Sequence, residues 1–239
     1  MRYFGILLLA IVLSACSRTV TSQTPIENMR ALPPRPSFEG EFVYNLPCKV
    51  INIHMEKPGK AVLFLWLHGG VKDRKKHDLF QLNHLDCCEA DDMIVDYLRR
   101  RGIKAVALFP ICHRAVNPEC VAWRDVWPDV KRMLDDYVDK EIVDPQRIYV
   151  AGSSDGGRGT WDLTTMHPEV FASAIAMSCE GPRYTTVPTF FYNTSSEEDC
   201  TAEVESLQRQ GSNILVYKFG ADYKHGDDAA ECTDEGKES

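Results

Sequence analysis

Basic residues are the minority charge in this chain: 27 Lys and Arg stand against 35 Asp and Glu, a formal charge of −8. No stripe of Lys and Arg interrupts that balance, so the electrostatic footprint of a nucleic-acid partner is missing and that class is excluded. Long apolar runs are missing too. The best stretch, Phe4 to Leu13, is too short to cross a bilayer as a helix. No internal repeat or low-complexity block occurs, which excludes a repeat architecture. Histidine is scarce, with seven in the chain, and the Cys and His spacings match no standard zinc pattern. The grouping His84, Cys87, Cys88, Cys112 and His113 is the one alternative to weigh as a metal site. In an oxidising compartment disulfide formation would compete for its thiols.

What is present begins at the N-terminus. Arg2 supplies a short positive region, Phe4 to Leu13 an apolar core, and Leu13-Ser14-Ala15-Cys16 follows. That order reads as a secretory signal. Leu-Ser-Ala-Cys resembles the bacterial lipobox, which implies that residues 1–15 are removed and that Cys16 is lipidated. An ordinary signal peptide cleaved near Ala15 is the alternative. Position two of the mature chain would be Ser17, and no acidic run follows, so the expected location is the outer membrane, on its periplasmic face or at the cell surface. Several acyl chains hold a protein stably on a membrane where one does not. Residues 16–40, polar and then proline-rich at Pro33-Pro34-Arg35-Pro36, suit a tether. Residues 41–239 are ample for one α/β domain with a substantial core. Nine cysteines less Cys16 leave an even number, which in an exported protein reads as disulfides of undetermined connectivity.

Apolar runs and helical faces alternate along that domain. Ala61 to Leu67 is a continuous apolar strand, as suits a parallel sheet buried on both faces. Glu89 to Arg101 is a helix, acidic early, with three arginines late and Gly102 after it. A strand is expected over 104–109 and a helix over 124–138, followed by a strand from Arg147, a helix from about Gly156 to Met166, and strands over 171–178 and 189–193. A helix near 202–210 and a strand over 213–219 complete the series. Phe42 to Tyr44 and Lys49 to His54 are expected to form an antiparallel start. Strands alternating with helices make the crossovers helical and the sheet mostly parallel.

The most informative stretch is Arg147-Ile148-Tyr149-Val150-Ala151-Gly152-Ser153-Ser154-Asp155-Gly156-Gly157, an apolar strand running into Gly-x-Ser-x-Gly. Such an elbow turns sharply from strand to helix and presents its central serine, here Ser154, at the apex. Glycines flank it because a Cβ there would collide with the neighbouring strand or the new helix. Leu67-His68-Gly69-Gly70 follows an earlier strand, Asp144 to Val150 leads into the elbow, and His167-Pro168-Glu169-Val170-Phe171-Ala172 follows the helix. By these three motifs in this order the chain resembles the α/β-hydrolases of the serine esterase group. It is similar to the secreted esterases that include feruloyl and acetylxylan esterases and polyhydroxybutyrate depolymerases. The resemblance covers nearly everything from about residue 41 onward. It implies an α/β class, three-layer α/β-hydrolase fold around a mostly parallel central sheet.

The resemblance also implies a set of site residues. A serine needs a base to take its proton, and in this fold the order is serine, acid, histidine. Only His167 and His225 follow Ser154. His167 stands at the far end of the elbow helix, so His225 is the expected base. The acid is expected after the strand over 189–193, where Glu197 falls at the expected offset and Glu198 and Asp199 are adjacent alternatives. An acidic helix start is the competing reading of those three carboxylates. Asp222 and Asp227 are remoter substitutes. The Asp155 amide and that of Gly70 or Val71 are expected to form the oxyanion hole, with His68 structural beneath it. Trp123, Trp127 and Trp161 are either sugar platforms or core.

The implied activity is hydrolysis of a carboxylic ester, on a small molecule or a glycan, through an acyl-enzyme, with no metal or organic cofactor. A serine peptidase and a non-catalytic binding lipoprotein on the same scaffold are the alternatives. Cys200 and Cys232 lie a few residues beyond the expected acid and histidine, so a disulfide between them is a further expectation, with Cys179 and Cys48 as alternative partners.

Overall fold

Side-chain alternation explains how the apolar runs are used. In the computed structural model, which describes residues 46, 48–70, 90–112, 120–193 and 200–218, strand β2 (Ala61–Leu67) is buried along its whole length. Ala61, Leu63, Leu65 and Leu67 enter one apolar cluster, while Val62, Phe64 and Trp66 enter another. That is the period of two of a strand covered on both faces. Strand β3 (Ala105–Pro110) divides in the same way: Val106 and Leu108 face one cluster, Ala105, Ala107 and Phe109 the other.

Helices supply the two covers. Helix α1 (Ala90–Arg100) presents Ile94, Val95 and Leu98 to the second cluster, and α2 (Trp127–Asp139) presents Val130, Met133 and Leu134 to the first. These are the i, i+3, i+4 spacings of a helical face. Three layers result.

The remaining elements are β1 (Cys48–Ile53), β4 (Val143–Ser153), α3 (Asp155–Met166), β5 (Ser173–Met177), β6 (Thr189–Asn193), α4 (Thr201–Arg209) and β7 (Ile214–Lys218). Among the described residues the sheet order is β1-β3-β2-β4-β5-β6-β7. Only β1 is antiparallel, pairing with β3, and every other neighbouring pair is parallel. A third cluster joins Trp161 of α3, Phe191 of β6, Val204 of α4 and Ile214 of β7.

Two element starts differ from the sequence expectation by more than about two residues. The helix expected over 124–138 begins as a 3₁₀ turn, Trp123–Val126, and becomes α-helical at Trp127. Pro128 accounts for the new start, since a first-turn residue needs no backbone N–H. Strand β4 starts at Val143 rather than Arg147, yet its register slips from Ala61↔Val143 to Leu63↔Ile148. Asp144 to Arg147 form the irregularity, with Pro145 unable to donate to the ladder. The expected strand at 42–44, the tether and Cys16 lie outside the described residues. No helix among the described residues is long and apolar enough to cross a membrane.

The register brings the carboxyl ends of β2, β4, β5, β6 and β7 to one edge: Leu67 pairs with Gly152, Ser153 with Met177, Met177 with Tyr192 and Asn193 with Lys218. Open α/β sheets bind their ligands at such an edge.

Candidate active site

Ser154 is the single residue between β4 and α3, and its backbone is at φ 55, ψ −120. A positive φ is uncommon for a residue with a Cβ, and this ψ falls outside even the left-handed helical region. Such a conformation costs about 1–3 kcal/mol and survives only where its surroundings enforce it. Here they do. The Ser154 N–H donates to Met177 O of β5 at 2.9 Å, and its carbonyl accepts from the Arg158 N–H of α3 at 3.0 Å.

Glycines make this possible. A Cβ on Gly152 would lie 2.3 Å from Gly156 O, one on Gly156 would lie 1.9 Å from Leu67 O, and one on Gly157 would lie 2.5 Å from Met177 O. The elbow is therefore wedged between β2 and β5 with backbone against backbone. Ser154 itself is half-buried.

Beside the elbow runs the loop His68-Gly69-Gly70. A Cβ on Gly70 would lie 2.0 Å from Asp155 Oδ2, so the Asp155 carboxylate fills the space behind that glycine. Asp155 opens α3, which leaves its N–H among those with no intrahelical acceptor. The two segments expected to stabilise an oxyanion, Gly70 and Asp155, are thus in contact. Val71 lies outside the described residues.

His68 holds this loop and is buried. Its Nε2 accepts the Cys112 N–H at 3.0 Å, which fixes the proton on Nδ1 for donation to Gly69 O at 2.7 Å. Trp123 donates Nε1–H to His68 O at 3.1 Å and meets the imidazole edge-on at 5.0 Å. Both ring nitrogens are engaged in the frame, so His68 orders backbone and takes no part as a base.

Charge next to the serine is arranged in a short chain. Arg158 donates Nη1–H to Asp155 Oδ1 at 3.1 Å and Nη2–H to Glu180 Oε1 at 2.5 Å. One turn further along α3, buried Asp162 accepts a hydrogen bond from Arg183 and forms an ion pair with Arg124 at 3.6 Å. The Cys112 thiol holds its proton well above the usual range. The causes are its hydrogen bond with Cys120, then burial, then the negative charge of Cys120, Asp125 and Asp155.

His167 caps the far end of α3 and stacks on Trp127, with ring centroids 4.3 Å apart. Twelve helical residues separate it from the elbow. Packing also decides the tryptophans. Trp123 and Trp161 are 3% and 0% exposed, and Trp127 is taken up by His167 and Phe171. The sugar-platform alternative falls for all three.

Glu197, Glu198, Asp199, Asp222, His225 and Asp227 lie outside the described residues, as does Cys232. The strands before them are described: β6 stands two places from β4 and β7 three. At about 4.8 Å per strand, loops from these ends start about 10 and 14 Å from the elbow strand. Among the described residues no group of three His, Cys, Asp or Glu is arranged to hold a metal ion. His84, Cys87, Cys88 and His113 lie outside them.

Two features escaped sequence reasoning. The Asp155–Arg158 pair was visible as an i, i+3 pair on the elbow helix. Its continuation to Glu180, which sits in another loop, was not. The Cys112 amide under His68 carried no sequence signal, because a backbone donor has none.

No family model matches the chain, and no curated protein matches it in sequence. Solved structures do match. A thermostable esterase superposes at TM-score 0.53 and 20% identity, over 73% of this chain and 50% of that one. The chain thus spans about half the length of that esterase. Esterase 2 of Thermogutta terrifontis, phosphoramylated by tabun, superposes at TM-score 0.55 and 15% identity, over 84% of this chain and 93% of that one. Its form phosphonylated by cyclosarin gives TM-score 0.54 and 14% identity over 84% and 92%. The sheet order, the helices on both faces, the elbow at the end of β4 and these likenesses identify the fold of this chain as the three-layer α/β-hydrolase fold.

Proposed function

We propose that the protein is a serine hydrolase that cleaves carboxylic esters through an acyl-enzyme. The strained backbone of Ser154 at the end of β4, with Gly70 and Asp155 in contact beside it, is the observation that carries this reading. A serine held at that cost in the turn out of a strand has little structural purpose. Ser154 Oγ attacks the acyl carbonyl while His225 takes its proton. The amides of Asp155 and of Gly70 or Val71 receive the negative oxygen. His225 then protonates the departing alcohol, and a water molecule, deprotonated by His225, releases the acyl group. Glu197, or its neighbours Glu198 and Asp199, keeps the imidazole in the productive tautomer. None of these steps requires a metal or an organic cofactor.

The structural neighbours that carry the name esterase support ester chemistry over peptide cleavage. Fluorophosphonate labelling of the full chain tests the reading. It should modify Ser154, and Ser154→Ala should abolish both labelling and hydrolysis of short acyl esters. A folded wild-type protein that neither labels nor hydrolyses any ester in a panel of acyl, hydroxycinnamoyl and acetyl-glycan substrates would instead support a binding role.

The same reading carries a location: residues 1–15 direct export, and lipid on Cys16 anchors the enzyme to the outer membrane. Cys16→Ser should release the protein from the membrane fraction. Retention of the variant there would remove the anchor.

A further inference from the structure

Two sulfurs meet beneath the oxyanion loop. Cys112 lies just beyond the end of β3, and its backbone N–H holds His68 Nε2. Cys120 stands three residues before Trp123, whose indole N–H holds His68 O. The two thiols hydrogen-bond to each other. Cys120 is 5% exposed, and it shares with Trp123 the apolar cluster against which Cys112 packs. Both supports of His68 therefore sit on the two ends of one short excursion of the chain, and the ends touch through their sulfurs.

We propose that Cys112 and Cys120 are the two halves of a disulfide, which closes when the protein is oxidised and locks the frame that holds His68 and the Gly69-Gly70 loop. This pairing is independent of the ester chemistry proposed above. Two sulfurs in hydrogen-bond contact need close by only about 2 Å to bond.

The oxidant is a low-molecular-weight disulfide or a disulfide-exchange protein. One cysteine, as thiolate, attacks a sulfur of the oxidant and expels half of it as a thiolate. The other cysteine then attacks the mixed disulfide and expels the second half. Two protons and two electrons leave the protein pair, and the oxidant becomes two thiols.

Closure of so short a loop should raise the melting temperature by about 5 °C or more. The sequence makes the test clean. Trypsin cleaves after Lys104, Arg114 and Arg124, so Cys112 and Cys120 fall on separate peptides, residues 105–114 and 115–124, each with one cysteine.

The full chain, oxidised to completion with oxidised glutathione and then alkylated, should yield these two peptides joined. Dithiothreitol should separate them and lower the melting temperature by that amount. Cys120→Ser should melt at the lower temperature and lose most of its response to dithiothreitol at this site. Recovery of both peptides alkylated after oxidation, or of Cys112 joined to another cysteine, overturns the pairing, and wild-type mapping decides this even if the variant does not fold. A joined pair whose reduction leaves the melting temperature unchanged overturns the lock.

Discussion

Gly156→Ala turns the elbow's crowding into a measurable quantity. The added Cβ would lie 1.9 Å from Leu67 O, 2.6 Å from Leu67 C and 2.8 Å from His68 O. All three are backbone atoms, and β2 is held by ladders to β3 on one side and β4 on the other. Relief needs a separation of at least about 1 Å between α3 and the end of β2, and neither side is flexible. Overpacking of this kind costs about 1–3 kcal/mol, and backbone on both sides puts the expected loss near 3 kcal/mol. For a domain of this size that is a fall of about 6–12 °C in melting temperature. On the proposed mechanism, a shift of about 1 Å between Ser154 and the His68-Gly69-Gly70 loop should also slow reaction of Ser154 with a fluorophosphonate by about 10². Gly70→Ala is the control: its Cβ meets the carboxylate end of Asp155, which can rotate away, so its melting temperature should stay within about 3 °C of wild type. The assays are thermal melting and the rate of fluorophosphonate labelling. A Gly156→Ala protein that melts and labels like wild type would refute the geometry on which the site is built.

Strain at Ser154 predicts that Ser154→Gly melts about 2–4 °C above Ser154→Ala. Glycine relieves about 1–3 kcal/mol at φ 55 and returns about 0.5–1 to unfolded-chain entropy, so equal melting would argue against strain. Around Asp162 the cost should depend on which partner goes. Arg183→Ala leaves a buried carboxylate short of a partner, whereas Asp162→Asn leaves two half-exposed arginines to water. The first should destabilise more in denaturant titration, by up to about 3 kcal/mol, and the reverse order would contradict this. Glu197→Gln should slow turnover by up to about 10⁴ and far more than Glu198→Gln or Asp199→Asn. A different ranking moves the acid along the loop, and three near-neutral variants send it to Asp222 or Asp227.

Legibility from sequence followed locality. The elbow could be read because its parts are contiguous: an apolar strand, a serine and glycines at fixed spacing, each required by the same turn. Strands β2 and β3 could be read because burial on both faces leaves an unbroken apolar run. The start of β4 could not, since Pro145 permits pairing to resume at Ile148 after an irregularity that depends on β2. The framing of His68 was only half legible. Its place before two glycines suggested a backbone role, but its partners, the Cys112 amide at the ring and the Trp123 indole N–H at the carbonyl, lie 44 and 55 residues away. Such partners are set by packing, to which no local pattern points. The acid was the least legible position, because a carboxylate before a helix is favourable with or without catalysis.

The central claim is that Ser154 is an activated nucleophile. Wild-type protein, Ser154→Ala and Ser153→Ala, each checked for folding by circular dichroism, should be treated with a fluorophosphonate and the adduct mapped by mass spectrometry. The account predicts one adduct on Ser154 in wild type, an adduct retained in Ser153→Ala, and none in Ser154→Ala. An adduct that persists in Ser154→Ala, or a folded wild-type protein that takes none, would contradict it.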